Sequence, residues 1–376
     1  MPSDETFRKT LRHFLAPVMP FLDDASVSEV MINGPDEVFI ERAGKLIKTD
    51  VKFAGEPALL AAVVNVLQFA GKRVDPHNPL AEARLPDGSR VHVAGPPCSR
   101  HGTVVTIRKH SRTMPTVNEL VRWGTLSAAA AEYLGLMVAA EKNLLVSGGT
   151  SSGKTTLLNV ISGFIPADQR IVVIEDTSEL RLAQSHVIGM EARAPDRMGR
   201  GGVTIRDLFR GALRMRPDRV IVGECRGGEA LDMIQAMTSG HAGSMSTLHS
   251  DTTHDALARL ETLAMMSAVQ LPPAAIRQQV ASAIHLVVQV ARLADGRRRV
   301  VEIAEVMPLS ADGHYSVGKM FELRAGEGGA LDLAWTGRVS RFAGDPKLAP
   351  FAAGVRRTAA LLGRPEPAPA PLPKVP

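Results

Sequence analysis

The spacing of apolar residues changes several times along the chain, and each change marks an element. Phe7, Leu11, Phe14 and Leu15 recur at helical intervals, and Pro17 and Pro20 close that helix. Three short strands follow at 29–33, 37–42 and 45–49. Asn33-Gly34-Pro35-Asp36 and Ala43-Gly44 are the turns between them. Pro57 opens a helix to about Phe69 with Leu59, Leu60, Val63, Val64 and Leu67 apolar, and Gly71 is a fitting cap. Pro86-Asp87-Gly88-Ser89 turns the chain into a strand over 90–94, and a last strand spans 103–108. These hairpins and two helices predict a small α+β domain over 1–112.

After a linker at 113–124 the pattern changes. Short apolar runs at 143–147, 170–174, 219–224 and 244–248 have the look of buried strands. Helical spacing separates them at 126–140, 155–164 and 204–215, and again from Glu229. One or two helices are expected within 269–284, then a hairpin of 285–291 and 299–306 around Asp295-Gly296. Strands alternating with helices predict an α/β domain over 125–310. The segment 191–202 is charged and Gly-rich, so a mobile loop is expected there. The pattern weakens past Val306; 311–376 is expected to be an extension ending in a disordered Pro/Ala tail.

The chemistry centres on Gly148-Gly149-Thr150-Ser151-Ser152-Gly153-Lys154-Thr155-Thr156, which fits the phosphate-binding pattern G-x-x-x-x-G-K-[ST] between a strand and a helix. Small residues let backbone amides curl around a phosphate. Lys154 reaches the β- and γ-phosphates, and the Thr155 hydroxyl suits Mg²⁺. Three strands then end in charged residues. Glu175 and Asp176 follow 170–174, and either can orient or deprotonate a water. Glu224 closes 219–224 as a Walker B acid. Gly223 stands where many such enzymes carry an aspartate, so Glu224 is assigned to Mg²⁺ or its water, or to the nucleophile. His249 follows 244–248, placed to sense a γ-phosphate, and His241 precedes it in a Gly-rich turn. Arg108, at a strand end beside Lys109, His110 and Arg112, and Arg90 are candidates for the positive charge a phosphoryl transition state needs. Glu229, opening a helix, has a structural and a functional reading of equal weight.

Composition narrows the class. A chain of 376 residues with 45% hydrophobic and 22% charged residues can fill two cores. Two distant cysteines, Cys98 and Cys225, argue against a disulfide framework, and no Cys/His spacing suggests zinc. The longest apolar run, 128–140, is broken by Glu132 and too short for a bilayer, so a cytoplasmic location with peripheral membrane contact is expected. A formal charge of +5 with few aromatic residues gives no nucleic-acid signature, and no nucleic-acid partner is expected.

Together these motifs resemble the secretion ATPases of the type II/type IV superfamily. The carrying segments are 28–35, 83–91, the phosphate loop, 174–176, 212–224, 239–249 and 256–262, and the likeness extends over about 21–309. The sequence is similar in particular to the CpaF-type ATPases of Tad/Flp pilus assembly. The resemblance implies a RecA-like P-loop core with a smaller N-terminal α+β domain, ATP and Mg²⁺ as cofactors, a homo-hexameric ring, and inner-membrane platform proteins as partners. It implies an Asp box at Glu175-Asp176, a Walker B acid at Glu224 and a His box at His241 and His249. Thr155, Glu224 and Asp176 are the implied metal set, and Arg90 and Arg108 the arginines that can approach the phosphates. Ser151 replaces a glycine common at that position. The implied function is an ATP-driven motor for a pilus or secretion apparatus. The alternatives are a type IV secretion or conjugation ATPase, a weakly hydrolysing nucleotide-binding scaffold, and a DNA translocase.

Overall fold

The structure is a computed structural model. It describes residues 4–42, 44–109, 114–195, 198–326, 329–354 and 358–363, with side chains described from 9 onward except at 352–354. Ala43 in the second turn, His110 and Arg112 in the basic run, and the Pro/Ala tail from 364 lie outside the described residues. The chain forms two compact units, Met1–Thr113 and Met114–Pro376.

The first unit holds helices α1 (Asp4–Phe14), α2 (Met19–Asp23) and α3 (Glu56–Phe69). Its strands are β1 (Val27–Asn33), β2 (Val38–Arg42), β3 (Lys45–Lys48), β4 (Leu80–Arg84), β5 (Arg90–Ala94) and β6 (Val104–Arg108). They form one antiparallel sheet in the order β3-β2-β1-β6-β5-β4. Leu59, Ala62, Val63, Val66 and Leu67 make the buried stripe of α3 and meet Val30, Ile32, Val91, Val93, Val105 and Ile107 of the sheet. Leu60 and Val64 of the same helix are exposed. Sheet register sets Arg84, Arg90, Arg108, Glu29 and Glu41 in one row across five strands.

The second unit is built on a nine-stranded sheet in the order β15-β14-β13-β12-β7-β11-β10-β8-β9. The strands are β7 (Leu144–Gly148), β8 (Ile171–Glu175), β9 (Val187–Glu191), β10 (Arg219–Val222), β11 (Met245–Leu248), β12 (Leu286–Arg292), β13 (Arg298–Met307), β14 (Ser316–Ala325) and β15 (Leu331–Trp335). From β12 to β9 every pairing is parallel, and from β12 to β15 every pairing is antiparallel. The helices are α4 (Val117–Arg122), α5 (Ala128–Ala139), α6 (Lys154–Ser162), α7 (Ile205–Ala212), α8 (Glu229–Thr238), α9 (Thr253–Met265) and α10 (Pro273–Ala283). Alternating strand residues feed two cores. Leu144, Val146, Ile171 and Val173 pack with α5 and α6, while Leu145, Val172, Ile174 and Val220 pack with α7 to α10. Covered on both faces, β7, β8 and β10 are buried at every residue, which explains their unbroken apolar runs. The expected α/β class and smaller α+β unit are what the structure has.

The stretch 269–284 holds a single helix, α10, within the one or two expected. Three details differ from the sequence expectation. The first unit carries a third, five-residue helix, α2. The strand β9 enters the sheet edge just before the irregular segment; it is only partly buried and holds Gly189, so it leaves no apolar run. Beyond 310, β14 and β15 extend the same sheet rather than standing apart from it. Their signal is masked by charge: Lys319 of β14 lies 2.8 Å from Glu302 of β13 and 2.7 Å from Glu322.

Candidate active site

The site begins where β7 delivers the chain to the C-terminal edge of the parallel strands. Gly148 pairs with Val290 of β12, and a Cβ on it would sit 2.3 Å from the Val290 carbonyl and 2.6 Å from Ser152 Oγ. Only glycine fits there. The loop reverses through two left-handed residues, Ser151 at φ +57° and Gly153 at φ +97°. For serine this conformation costs roughly 1–2 kcal/mol. Ser152 Oγ donates to the Gly149 carbonyl at 2.8 Å. The helix α6 then starts at Lys154, so its first amides lack intrahelical acceptors and its positive end faces the loop. Gly149, Thr150, Thr155 and Thr156 complete the expected loop and first turn. Lys154 is only 7% exposed, and its Nζ donates to the carbonyls of Gly148 and Gly149 at 2.9 and 2.8 Å.

Parallel strands bring their C-terminal ends to one edge, which gathers residues distant in sequence. Glu175 ends β8 and is 5% exposed; Oε1 accepts from the amides of Glu179 and Leu180 at 2.9 and 3.0 Å. Burial raises its pKa, against the lowering effect of those two amides. Its stem explains Gly223: a Cβ there would lie 2.9 Å from Glu175 Cγ. The aspartate missing from 223 is therefore excluded by the neighbouring acid. Glu224 follows β10. Its Oε1 lies 3.0 Å from Nε2 of His249, and His249 Nδ1 and Nε2 each lie 3.5 Å from Lys154 Nζ. Burial, followed by the Lys154 charge, lowers the His249 pKa and favours the neutral imidazole.

One expectation is corrected. His241 precedes β11 whereas His249 follows it, so a strand length separates them and His241 lies at the sheet edge opposite the phosphate loop. Its carbonyl accepts from Ser244 Oγ at 2.8 Å, a turn-forming contact. Arg90 and Arg108 belong to the first unit, where they are directly paired across β5 and β6. Glu229 resolves toward structure: its Oε1 accepts from the amides of Arg226 and Gly227 at 2.7 and 2.8 Å.

Three residues of the site escaped the sequence reading. Arg226 donates Nε and Nη2 to Glu224 Oε2 at 2.8 and 2.5 Å, and its Nη1 lies 3.5 Å from Asp176. Its position two residues past the strand-end acid was the available signal. Gln289 of β12, buried and paired with Ser147, donates to the Ser250 carbonyl at 3.0 Å beside His249. Arg298, opening β13, donates Nε to the Ser151 carbonyl at 3.0 Å. Nothing in a run of three arginines distinguishes it in sequence.

The residues present fit a magnesium nucleotide. The loop is a glycine-closed cradle of amides, and Glu224 Oε1 is buried with the His249 ring 3.0 Å away. Among the described residues no group of three or more His, Cys, Asp or Glu side chains forms a self-sufficient metal cage. Mg²⁺ takes one or two protein oxygens and completes its shell with phosphate and water. Thr155 and Glu224 are the donors the chain offers, with Asp176 exposed alongside.

Comparison with known proteins shows what the chain is similar to. The chain is 35% identical over 291 residues to a putative conjugal transfer protein of Mycobacterium tuberculosis, covering 76% of this chain and 82% of that one. It is 37% identical over 311 residues to the type IV secretion system protein PtlH of Bordetella pertussis, covering 76% and 91%. It is 32% identical over 282 residues to the conjugal transfer protein TrbB of Rhizobium radiobacter, covering 74% and 83%. In fold it is similar to the pilus retraction motor PilT, at a TM-score of 0.56 and 19% identity over 81% of this chain and 84% of that one. Among the described residues no helix is long and apolar enough to cross a membrane. The family described as type II/IV secretion system protein matches residues 12–317, and the chain belongs to that family.

Proposed function

We propose that this chain is the ATP-hydrolysing motor of a type IV secretion or conjugation apparatus, acting as a homo-hexamer at the cytoplasmic face through inner-membrane partners. The observation that carries the reading is the joined set Lys154–His249–Glu224 at the mouth of the phosphate loop. The loop amides and Lys154 bind the β- and γ-phosphates. Thr155 and Glu224 hold Mg²⁺, which when bound offsets phosphate charge. Glu175, its proton affinity raised by burial, orients or deprotonates the attacking water. Neutral His249 donates a hydrogen bond toward the transferring phosphoryl group. Conjugal-transfer proteins and PtlH among the relatives favour this reading over the Tad/Flp pilus motor, which would use the same residues.

The test is ATP turnover per subunit against protein concentration for wild type and Glu224→Gln. Turnover that rises with assembly and vanishes in the variant supports the motor. Wild type that binds ATP with flat, near-zero turnover sinks it in favour of a nucleotide-binding scaffold.

A further inference from the structure

The phosphate loop contains a conformational weak point and a contact that guards it. Ser151 is the loop's non-glycine residue with positive φ, at +57°, in a region that side-chain-bearing residues rarely adopt. Its carbonyl accepts a hydrogen bond at 3.0 Å from Nε of Arg298. Arg298 opens β13, and β13 pairs with β12, the strand beside β7. The contact thus reaches the loop from the antiparallel side of the sheet, across about 150 residues of sequence. Gly153 makes room for it: a Cβ at that position would lie 3.2 Å from Arg298 Cδ. Both oddities of the loop, a left-handed serine and a glycine two residues on, face the same arginine: Ser151 through its Nε and Gly153 through its Cδ.

We infer that Arg298 is a positioning residue for nucleotide binding, locking Ser151 in its left-handed conformation so that the loop's amides stay turned toward the phosphates. The inference rests on the nucleotide-binding reading above. The physical argument is one of preorganisation. Without the arginine, Ser151 relaxes toward negative φ, the peptide units on either side rotate, and amides that should converge on one anion diverge. A glycine at 151 would populate positive φ unaided and would not need the arginine. That dependence separates this role from a general effect of positive charge or of hairpin stability, neither of which depends on the residue at 151.

The experiment is a double-mutant cycle on the full chain, read by calorimetric titration with ADP and Mg²⁺, together with thermal unfolding of each variant. Arg298→Ala is expected to weaken ADP binding about tenfold in the wild-type background. In the Ser151→Gly background the same substitution is expected to weaken it no more than about twofold. Arg298→Lys, which keeps the charge but not the planar donor, should fall between wild type and Arg298→Ala while Ser151 is present. An equal loss in both backgrounds overturns the inference, as does no loss in either or full restoration by lysine. Wild type that binds no ADP brings down the nucleotide-binding reading itself, and this role with it.

Discussion

The two units bury different things. In the first, the buried polar residues among those described are Ser89 and Thr103; its arginines and glutamates form a row along the sheet. The second buries Lys142, Asn143, Lys154, Glu175, Arg219, Glu261, Gln289 and Glu305. Each has a partner that accounts for it. Arg219 donates to Gln169 and to the Val138 carbonyl at 2.6 and 2.9 Å, and burial lowers its pKa to about 10. Glu261 takes two bonds from Arg277 and one from Tyr315. Asn143 donates its amide to Nδ1 of His285 and bridges three segments with its side chain. The contrast follows from strand direction. An antiparallel sheet sets side chains in rows by register, so charge can stay on its open face. A parallel sheet covered on both faces must satisfy its polar groups inside, and it concentrates chemistry at one edge.

The sharpest way to break this contrast is Lys154→Ala, which should cut ATP turnover by about 1000-fold, roughly 4 kcal/mol of transition-state stabilisation. A variant with near-normal turnover would move the chemistry away from the second unit's edge. The first unit is tested next. Arg108→Ala should lower kcat by about 100-fold with the melting temperature unchanged, if Arg108, the exposed member of that row, supplies charge to a phosphate. Unchanged kcat would make that row a surface feature only. Arg226→Ala should lower kcat by about 30-fold while ADP affinity stays within about twofold, because it orients Glu224 without touching the loop. Equal loss of binding and turnover, with a lower melting temperature, would make it merely structural.

The smallest effect concerns pH. Burial, and after it the Lys142 charge, lowers the His285 pKa to about 4, and Nδ1 must stay unprotonated to accept from Asn143. Against an unfolded value of about 6.5, the unfolded chain binds the extra proton first as pH falls. Stability from this group is therefore present above about pH 6.5 and is lost progressively toward pH 4. Between pH 7 and 5.5 the expected loss is about 1 kcal/mol, measured by denaturant unfolding. His285→Gln should flatten that part of the profile, and an unchanged slope would show that other groups set it.

Much of this was legible locally. The phosphate loop, the strand-end acids Glu175 and Glu224, and His249 are marked by neighbours within a few residues, because strand–turn–helix geometry is encoded there. The apolar runs of β7, β8 and β10 declared a parallel sheet because burial on both faces leaves no polar alternation. Tertiary structure alone decided the rest. That His241 sits at the wrong edge depends on where a four-residue strand lies in the sheet. That Gly223 lacks a carboxylate depends on the stem of Glu175, 48 positions earlier in the chain. That β14 belongs to the sheet depends on its antiparallel pairing with β13 and β15. The sequence by itself determined which residues can meet a phosphate; the packing of parallel strands decided which of them are held together, since contacts across 50 to 150 residues leave no spacing for a sequence to display.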